Sequence, residues 1–330
     1  WLHRAGHRVA VLWAAHAVHH QSEDYNLSTA LRQTSTGALL GWVFYVPMAV
    51  AGVPPIVFAV VGLIDLLYQF WIHTEHVPKL GWFDRVFASP SNHRAHHAVN
   101  ERYLDKNYGG ILIVWDRLFG SFREEDEPCV YGTRSPLRSW DPLWANTEVY
   151  WALLKDSWHT RRWADKLRVW FKPPGWRPLD VAERFPKPPF DTAALQRFDP
   201  PLAPATAWLA GLQFVALLGG VAAFLWQVDS WPLATSCVWL LALTASLWGV
   251  GALLQGRISA TELWLIEACA LATASSALGL RELHLVFKPL AMVIALALTW
   301  GVPRALWLRL ALIGSLAGDV FLMLPGLFIP

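Results

Sequence analysis

The sequence predicts an all-α, polytopic membrane protein, with a helical His-rich di-metal domain followed by a C-terminal bundle of transmembrane helices. Three observations carry this expectation. Of 330 residues, 55% are hydrophobic and only 16% are charged, against about a quarter charged in ordinary soluble domains. Apolar runs of bilayer-spanning length crowd the last third of the chain. Ten of the twelve histidines fall within the first 97 residues, at spacings that one helix face would gather.

The first element, Trp1 to about Gln33, is His-rich, and Val9, Leu12 and Trp13 recur with helical period. The second, about Gly37 to Trp71, holds Asp65 as its one charge. Pro54 and Pro55 divide it into two apolar arms of about 25 Å each. These arms predict a helical hairpin that enters the membrane and returns, or a re-entrant pair reaching partway. The third element, about His73 to Pro204, is polar, with a Trp-rich helical stretch near Trp144 to Phe171. It closes on nine prolines between Pro173 and Pro204, which predict an extended linker without long helices. From Ala207 onward five spans are expected, at about 208–226, 232–254, 260–279, 286–302 and 305–328. Arg257, Arg304 and Arg309 would share a side with the basic linker if these spans alternate, while Arg281 would lie opposite. The expected domains are 1–125, 126–205 and 206–330. No 20–50-residue repeat is present. The chain opens at Trp1 without Met and stops at Pro330 inside an apolar run, which reads as a fragment cut at both ends; no signal peptide is visible.

Charge and cysteine usage exclude some classes. The formal net charge is +2, and bases are interspersed with acids, so no nucleic-acid partner is expected. Cys129, Cys237 and Cys269 contain no C-x-x-C pair, so neither a disulfide framework nor a thiolate zinc site follows.

The histidines carry the chemistry. "HRAGH" places His3 and His7 at i and i+4, one face of a helix. "HAVHH" and "HRAHH" repeat H-x-x-H-H at His16, His19, His20 and at His93, His96, His97. Each triad aims three imidazoles at one point. His73 and His76 follow in "HTEH". A lone histidine on an apolar helix is usually a hydrogen-bonded core residue, but two such triads and an i, i+4 pair in 97 residues are a metal-binding pattern. A hairpin between the triads would bring both to one membrane face. Eight or nine imidazoles exceed the three protein ligands of a catalytic zinc, so two metals are expected. Ligand type alone leaves Fe, Zn and Cu open. Glu75, Asp24, Asp105 and Asp116 are candidates to orient ligand rings through their N–H groups.

These boxes, with a membrane hairpin between them, resemble the fatty acid hydroxylase/sterol desaturase superfamily of integral membrane di-iron oxygenases. Within it, "HHQSEDYNLSTALRQ", "LYQFWIHTE", "SNHRAHH" and "LDKNYGGILIVWDRLFGSF" resemble the alkylglycerol monooxygenase branch, which cleaves ether lipids. The resemblance covers about residues 1–170. It implies two Fe ions held by His3, His7, His16, His19, His20, His93, His96 and His97, with His73 as a ninth ligand. His76 falls where the family pattern has an apolar residue and stays outside the set; Arg8 stands where the animal enzymes carry an acid. The implied reaction is O2-dependent hydroxylation of the carbon beside the ether oxygen, releasing a fatty aldehyde. The implied electron donor is tetrahydrobiopterin or a redox protein, and the His clusters would face the cytoplasm. A sterol or fatty acyl hydroxylase or desaturase is the alternative within the superfamily. A zinc-dependent membrane hydrolase or a metal-binding carrier is the alternative outside it.

The C-terminal block holds "KPLAMVIALAL" and "LIGSLAGDVFLMLPG". Lys288 and Asp319 stand in or near apolar spans, where ionisable groups are functional candidates; Glu262 and Glu267 stand similarly but do not share a helix face. These strings resemble the lysoplasmalogenase family over roughly residues 208–330, which implies a catalytic part for Asp319.

Overall fold

A computed structural model of the chain describes residues 1–300, 302 and 306–323, with side chains within residues 1–300, 302 and 308–317. Among the described residues every regular element is helical. Extended pairing is confined to single bridges between Phe87 and Leu112 and between Ala98 and Tyr131. Contacts divide the chain into two units: Trp1–Arg138 with Leu143–Phe198, and Ser139–Pro142 with Asp199–Pro330.

In the first unit, α1 (Leu2–Arg8) and α2 (Ala10–His20) are separated by Val9, whose extended backbone (φ −123°, ψ 120°) ends one helix and starts the next. The two helices pack against each other. They meet closely at Gly6, where an added Cβ would lie in ordinary contact with His16 at 3.7 Å. α3 (Leu27–Ala30) starts on a capping box from Asn26 and Thr29. α4 (Gly37–Gly41), a 3-10 turn (Trp42–Tyr45) and α5 (Val46–Val50) make the first arm of the hairpin. α6 (Pro55–Trp71) makes the second and leaves Val57, Val61, Ile64 and Leu67 exposed. The expected hairpin is therefore present as two helical arms. Its first arm is broken between Gly41, which ends α4, and Pro47, in the first turn of α5, and both arms fall short of the length of a full span. α7 (Phe83–Val86), α8 (Pro90–His97) and α9 (Val114–Leu118) are short. α10 (Pro142–His159) and α11 (Trp163–Phe171) follow. The Pro-rich stretch holds α12 (Leu179–Arg184) and one 3-10 turn (Thr192–Ala194) and no long helix, and its first part is packed, with Pro178 and Val181 buried and Arg177 paired with Asp156.

In the second unit, α13 (Pro204–Gln227), α14 (Leu233–Leu254), α15 (Ala260–Ala277), α16 (Arg281–Thr299) and α17 (Leu306–Met323) run in sequence, each packed on the next. Among the described residues, three segments are long and apolar enough to cross a bilayer: Pro204–Ser230, Leu233–Leu254 and Arg281–Thr299. The chain is thus an integral membrane protein. Five spans were expected. α15 is outside the three because Glu262, Glu267 and its Thr and Ser content lower its hydropathy. It is instead a packing element, with Leu263 wholly buried and close to Gly249 of α14. Glu262 closes a capping box with Ser259, and Glu267 is buried facing Gln213. The end of the fifth span and Arg304 lie outside the described residues. Asp319 lies outside the described side chains.

Candidate metal centre

Each histidine is placed by a local rule. On α2, His16, His19 and His20 share one face, while Ala10 and Ala14 on its back receive Leu153 of α10 and Val169 of α11. α8 starts on Ser89, whose Oγ accepts the Asn92 N–H at 3.3 Å, with Pro90 in its first turn. The whole of α8 is buried, which is rare for a helix with so polar a sequence. His73 follows the end of α6, held by its own Nδ1 donating to the Gln69 carbonyl at 2.6 Å.

Nine imidazoles converge in two groups. His3, His7, His16, His20 and His96 form one, and His19, His73, His93 and His97 the other; within each, the nearest ring nitrogens all lie within 4.8 Å of one another. α2 and α8 contribute to both, so the groups are neighbours: the His20 and His97 rings stack at 4.2 Å, and His93 and His96 at 5.1 Å. Every histidine expected as a ligand falls in one group or the other. His76 is exposed and in neither.

The hydrogen bonds fix several tautomers. A backbone carbonyl can only accept, so the Nδ1 of His3 (to Tyr108, 2.8 Å), His96 (to Lys106, 2.8 Å), His19 (to Arg32, 3.2 Å) and His73 carries the hydrogen. Their Nε2 atoms are then bare lone pairs. Those of His19 and His73 face each other at 3.3 Å. The Nε2 atoms of His3, His7, His96 and His97 are buried without a hydrogen-bond partner. Several bare nitrogens turned inward repel one another unless a cation stands among them, so the residues fit two metal ions. Burial pushes all nine imidazoles below their ordinary pKa, His19 to about 3 and His73 to about 4. They are neutral at pH 7, the form that binds metal.

The loop after α8 completes the five-histidine group. Asp105 (φ 57°) and Asn107 (φ 55°) adopt left-handed backbone, a conformation these two residue types tolerate better than most. This curl turns the carbonyls of Lys106 and Tyr108 toward His96 and His3. Asn107 is buried and bonds the Asn92 carbonyl at 2.9 Å and both backbone groups of Arg123 at 2.7 and 2.8 Å. Asp116, 2% exposed, accepts from Tyr108 N (2.9 Å), Gly109 N (2.7 Å) and Ser121 Oγ (2.7 Å).

The acids singled out from the sequence separate into three kinds. Asp105 approaches an imidazole directly, 4.0 Å from His7 Nδ1, and also meets Arg8 at 3.4 Å. Asp116 touches no ring; it holds the loop whose carbonyls do. Asp24 pairs with Arg197 at 2.7 Å, away from the rings. Glu75 is exposed and reaches the Tyr131 hydroxyl. Tyr131 stacks on Tyr25 at 4.9 Å, and Tyr25 lies 5.6 Å from the His73 ring. The structure adds residues that the sequence reading missed. Arg94, between two ligand positions, forms a bidentate pair with Glu125 (2.7 and 2.8 Å) and donates to the carbonyls of Thr74 and Val77 at 2.9 Å. This ties α8 to the segment that carries His73. Tyr25 donates to the Ile72 carbonyl at 3.0 Å from the same side.

Known proteins resemble this chain over much of its length. Residues 1–121 match the family model described as fatty acid hydroxylase. Human alkylglycerol monooxygenase is 44% identical over 191 residues, covering 57% of this chain and 43% of the human protein. Alkylglycerol monooxygenase of Danio rerio is 40% identical over 275 residues, 81% of this chain and 60% of that protein. Ornithine lipid hydroxylase OlsE of Rhizobium tropici is 27% identical over 134 residues, 38% of each chain. The chain spans about half the length of the curated relatives it matches. No solved structure matches it.

Proposed function

We propose that the chain, whose residues 1–121 match the fatty acid hydroxylase family model, is the metal-bearing part of an O2-dependent membrane lipid monooxygenase. Its substrate would be an alkylglycerol lipid and its product a fatty aldehyde. The observation that carries the proposal is the convergence of nine neutral imidazoles, six buried and three half-buried, in groups of five and four. The names of the most similar relatives supply the substrate class.

In this reading His3, His7, His16, His20 and His96 hold one iron, and His19, His73, His93 and His97 the other. Bound iron supplies activation of O2, with two electrons from tetrahydrobiopterin or another external donor. The chain supplies position and dryness. Backbone carbonyls fix the ring tautomers, the loop held by Asp116 and Asn107 keeps His3 and His96 aimed inward, and the buried α8 excludes water from the far wall. The substrate carbon beside the ether oxygen exchanges one hydrogen for a hydroxyl, and the second oxygen atom leaves as water. The resulting hemiacetal breaks its C–O bond to give the fatty aldehyde and the free glycerol hydroxyl. Asp105 is proposed to orient His7. Glu75 is retained as the partner of the Tyr131 hydroxyl. The Lys and Arg of residues 155–172 and the positive-inside rule favour a cytoplasmic face for the histidines.

The domain division at 1–125, 126–205 and 206–330 is part of the same proposal, with a lysoplasmalogenase-like membrane block at the C-terminal end. Asp319 is carried there as a candidate acid.

The test is product analysis with the purified chain in lipid nanodiscs, loaded with iron and given an alkylglycerol, O2 and a reduced pterin. Fatty aldehyde formed in step with O2 uptake supports the proposal. A retained hydroxyl or a new double bond in a sterol or acyl chain would move it to the other superfamily reaction. Two zinc ions with no O2 uptake would replace it with the hydrolase or carrier.

A further inference from the structure

We infer that α10 and α11 form an in-plane membrane anchor whose partner is the anionic headgroup layer of a bilayer, a lipid contact additional to the spanning helices. Three observations point to it. First, α11 has two unlike faces. Val169 is buried against Ala10, Ala14 and Leu153, and Asp165 is 4% exposed and paired with Arg168. On the opposite side Trp163, Leu167 and Phe171, at i, i+4 and i+8, are 82%, 69% and 67% exposed. Trp158 at the end of α10 is 79% exposed. Trp and Phe on the apolar face of a short amphipathic helix suit the boundary between headgroups and acyl chains.

Second, the rim is cationic. Residues 155–172 contain six Lys and Arg against two acids, Asp156 and Asp165. Both acids are turned inward, Asp156 onto Arg177 and Asp165 onto Arg168. Outside these pairs, Arg161, Arg162 and Lys172 remain exposed. The charge left on this face complements phosphate-bearing lipids.

Third, hydrogen bonds set the depth. Ser35 Oγ donates to Asn146 Oδ1 at 2.9 Å, and Thr36 Oγ1 meets the Tyr150 hydroxyl at 2.7 Å. Ser35 and Thr36 are the last polar residues before the apolar arm that starts at Gly37. α10 is therefore fastened to the foot of the hairpin, where the chain leaves water for lipid. The anchor is also joined to the His-bearing helix: Ala10 N–H donates to the Lys172 carbonyl at 2.9 Å. The depth of the anchor thus fixes the depth of α2 and its imidazoles. The anchor itself does not depend on the identity of the metal or the reaction.

The experiment places a fluorescent amino acid at Leu167 through an amber codon in the otherwise native full chain, reconstituted in nanodiscs of phosphatidylcholine and phosphatidylglycerol. Lipids brominated near the headgroup end of the acyl chain should quench it at least about twofold, with little quenching by aqueous iodide. Quenching by iodide and not by bromolipid would mean a solvated face and overturn the inference. Quenching by neither would mean a protein-covered face, such as a contact with a second copy, and would overturn it equally. The headgroup is read separately with spin-labelled lipids. The native chain should immobilise phosphatidylglycerol over phosphatidylcholine, and the variant R161Q/R162Q/K172Q should lose at least about half of that selectivity. Unchanged selectivity would remove the anionic partner.

Discussion

Replacing Asp116 by Asn tests whether the left-handed loop, and not a direct acid–imidazole contact, holds the five-histidine group. The carboxylate is buried and accepts three hydrogen bonds, from Tyr108 N, Gly109 N and Ser121 Oγ. Asn keeps the shape and one acceptor oxygen, which can still serve Tyr108 N and Ser121 Oγ at Oδ1. Its amide nitrogen then faces Gly109 N–H, donor against donor. One charge-assisted bond of about 2 kcal/mol is lost, and a buried donor is left unpaired at about 1–3 kcal/mol. The expected destabilisation is about 3–5 kcal/mol, concentrated in the segment that presents the Tyr108 and Lys106 carbonyls to His3 and His96. Loss of such ring-orienting contacts commonly costs 10–100-fold in metal affinity. The assay pairs thermal unfolding in detergent with iron content by mass spectrometry, with Glu75→Gln as the comparison. D116N should melt lower and retain less iron, while E75Q should match the native chain. Native iron content and melting in D116N would refute the reasoning.

Other outcomes follow from the same geometry. Alanine at His20 or His96 should remove the metal of the five-histidine group, and alanine at His73 or His93 that of the other; metal counting should give about one ion per chain in each case, and two ions retained in all four would break the division into groups. Glu125→Gln strips a bidentate partner from the buried Arg94, which should cost roughly 3–5 kcal/mol in thermal unfolding; restoring stability with a second change, Arg94→Met, would show that the cost is the unpaired cation. Stability of the metal-stripped protein should fall with acid. Above pH 6.5 His19 and His73 are neutral in both states; below it the unfolded chain takes up protons that the folded chain refuses until about pH 4 for His73 and about 3 for His19. The two together give a slope of roughly 2.7 kcal/mol per pH unit between these limits, read from melting against pH. A flat profile from pH 6.5 to 4 would contradict their neutral burial.

The triads were legible because imidazoles at i, i+3 and i+4 share a helix face whatever the rest of the fold does. The return of the chain by a hairpin was legible from Pro54 and Pro55 within an apolar run. The irregularity of its first arm was not, because Trp42–Tyr45 and Val46–Val50 read as helix by hydropathy alone. The roles of the acids were the hardest to read. Asp116, Asp24 and Glu75 are alike in sequence, yet one holds a buried loop, one pairs with Arg197 and one is exposed. The carbonyls of Tyr108, Lys106, Gln69 and Arg32, which fix the tautomers, leave no trace in residue type. The one local signal was Asn107, a residue type that tolerates positive φ, set beside Asp105. In the second unit, length suggested that α15 spans the membrane, whereas Glu262 serves a capping box and Glu267 an internal contact with Gln213.

The central claim is that imidazoles from α1, α2, α8 and the end of α6 hold two irons side by side. X-ray absorption at the iron edge, on the full chain purified from iron-replete cells, addresses it most directly. The account predicts about two irons per chain in a nitrogen-rich shell with imidazole back-scattering. Iron surrounded chiefly by oxygen or sulfur, or protein that carries zinc in its place, would contradict it.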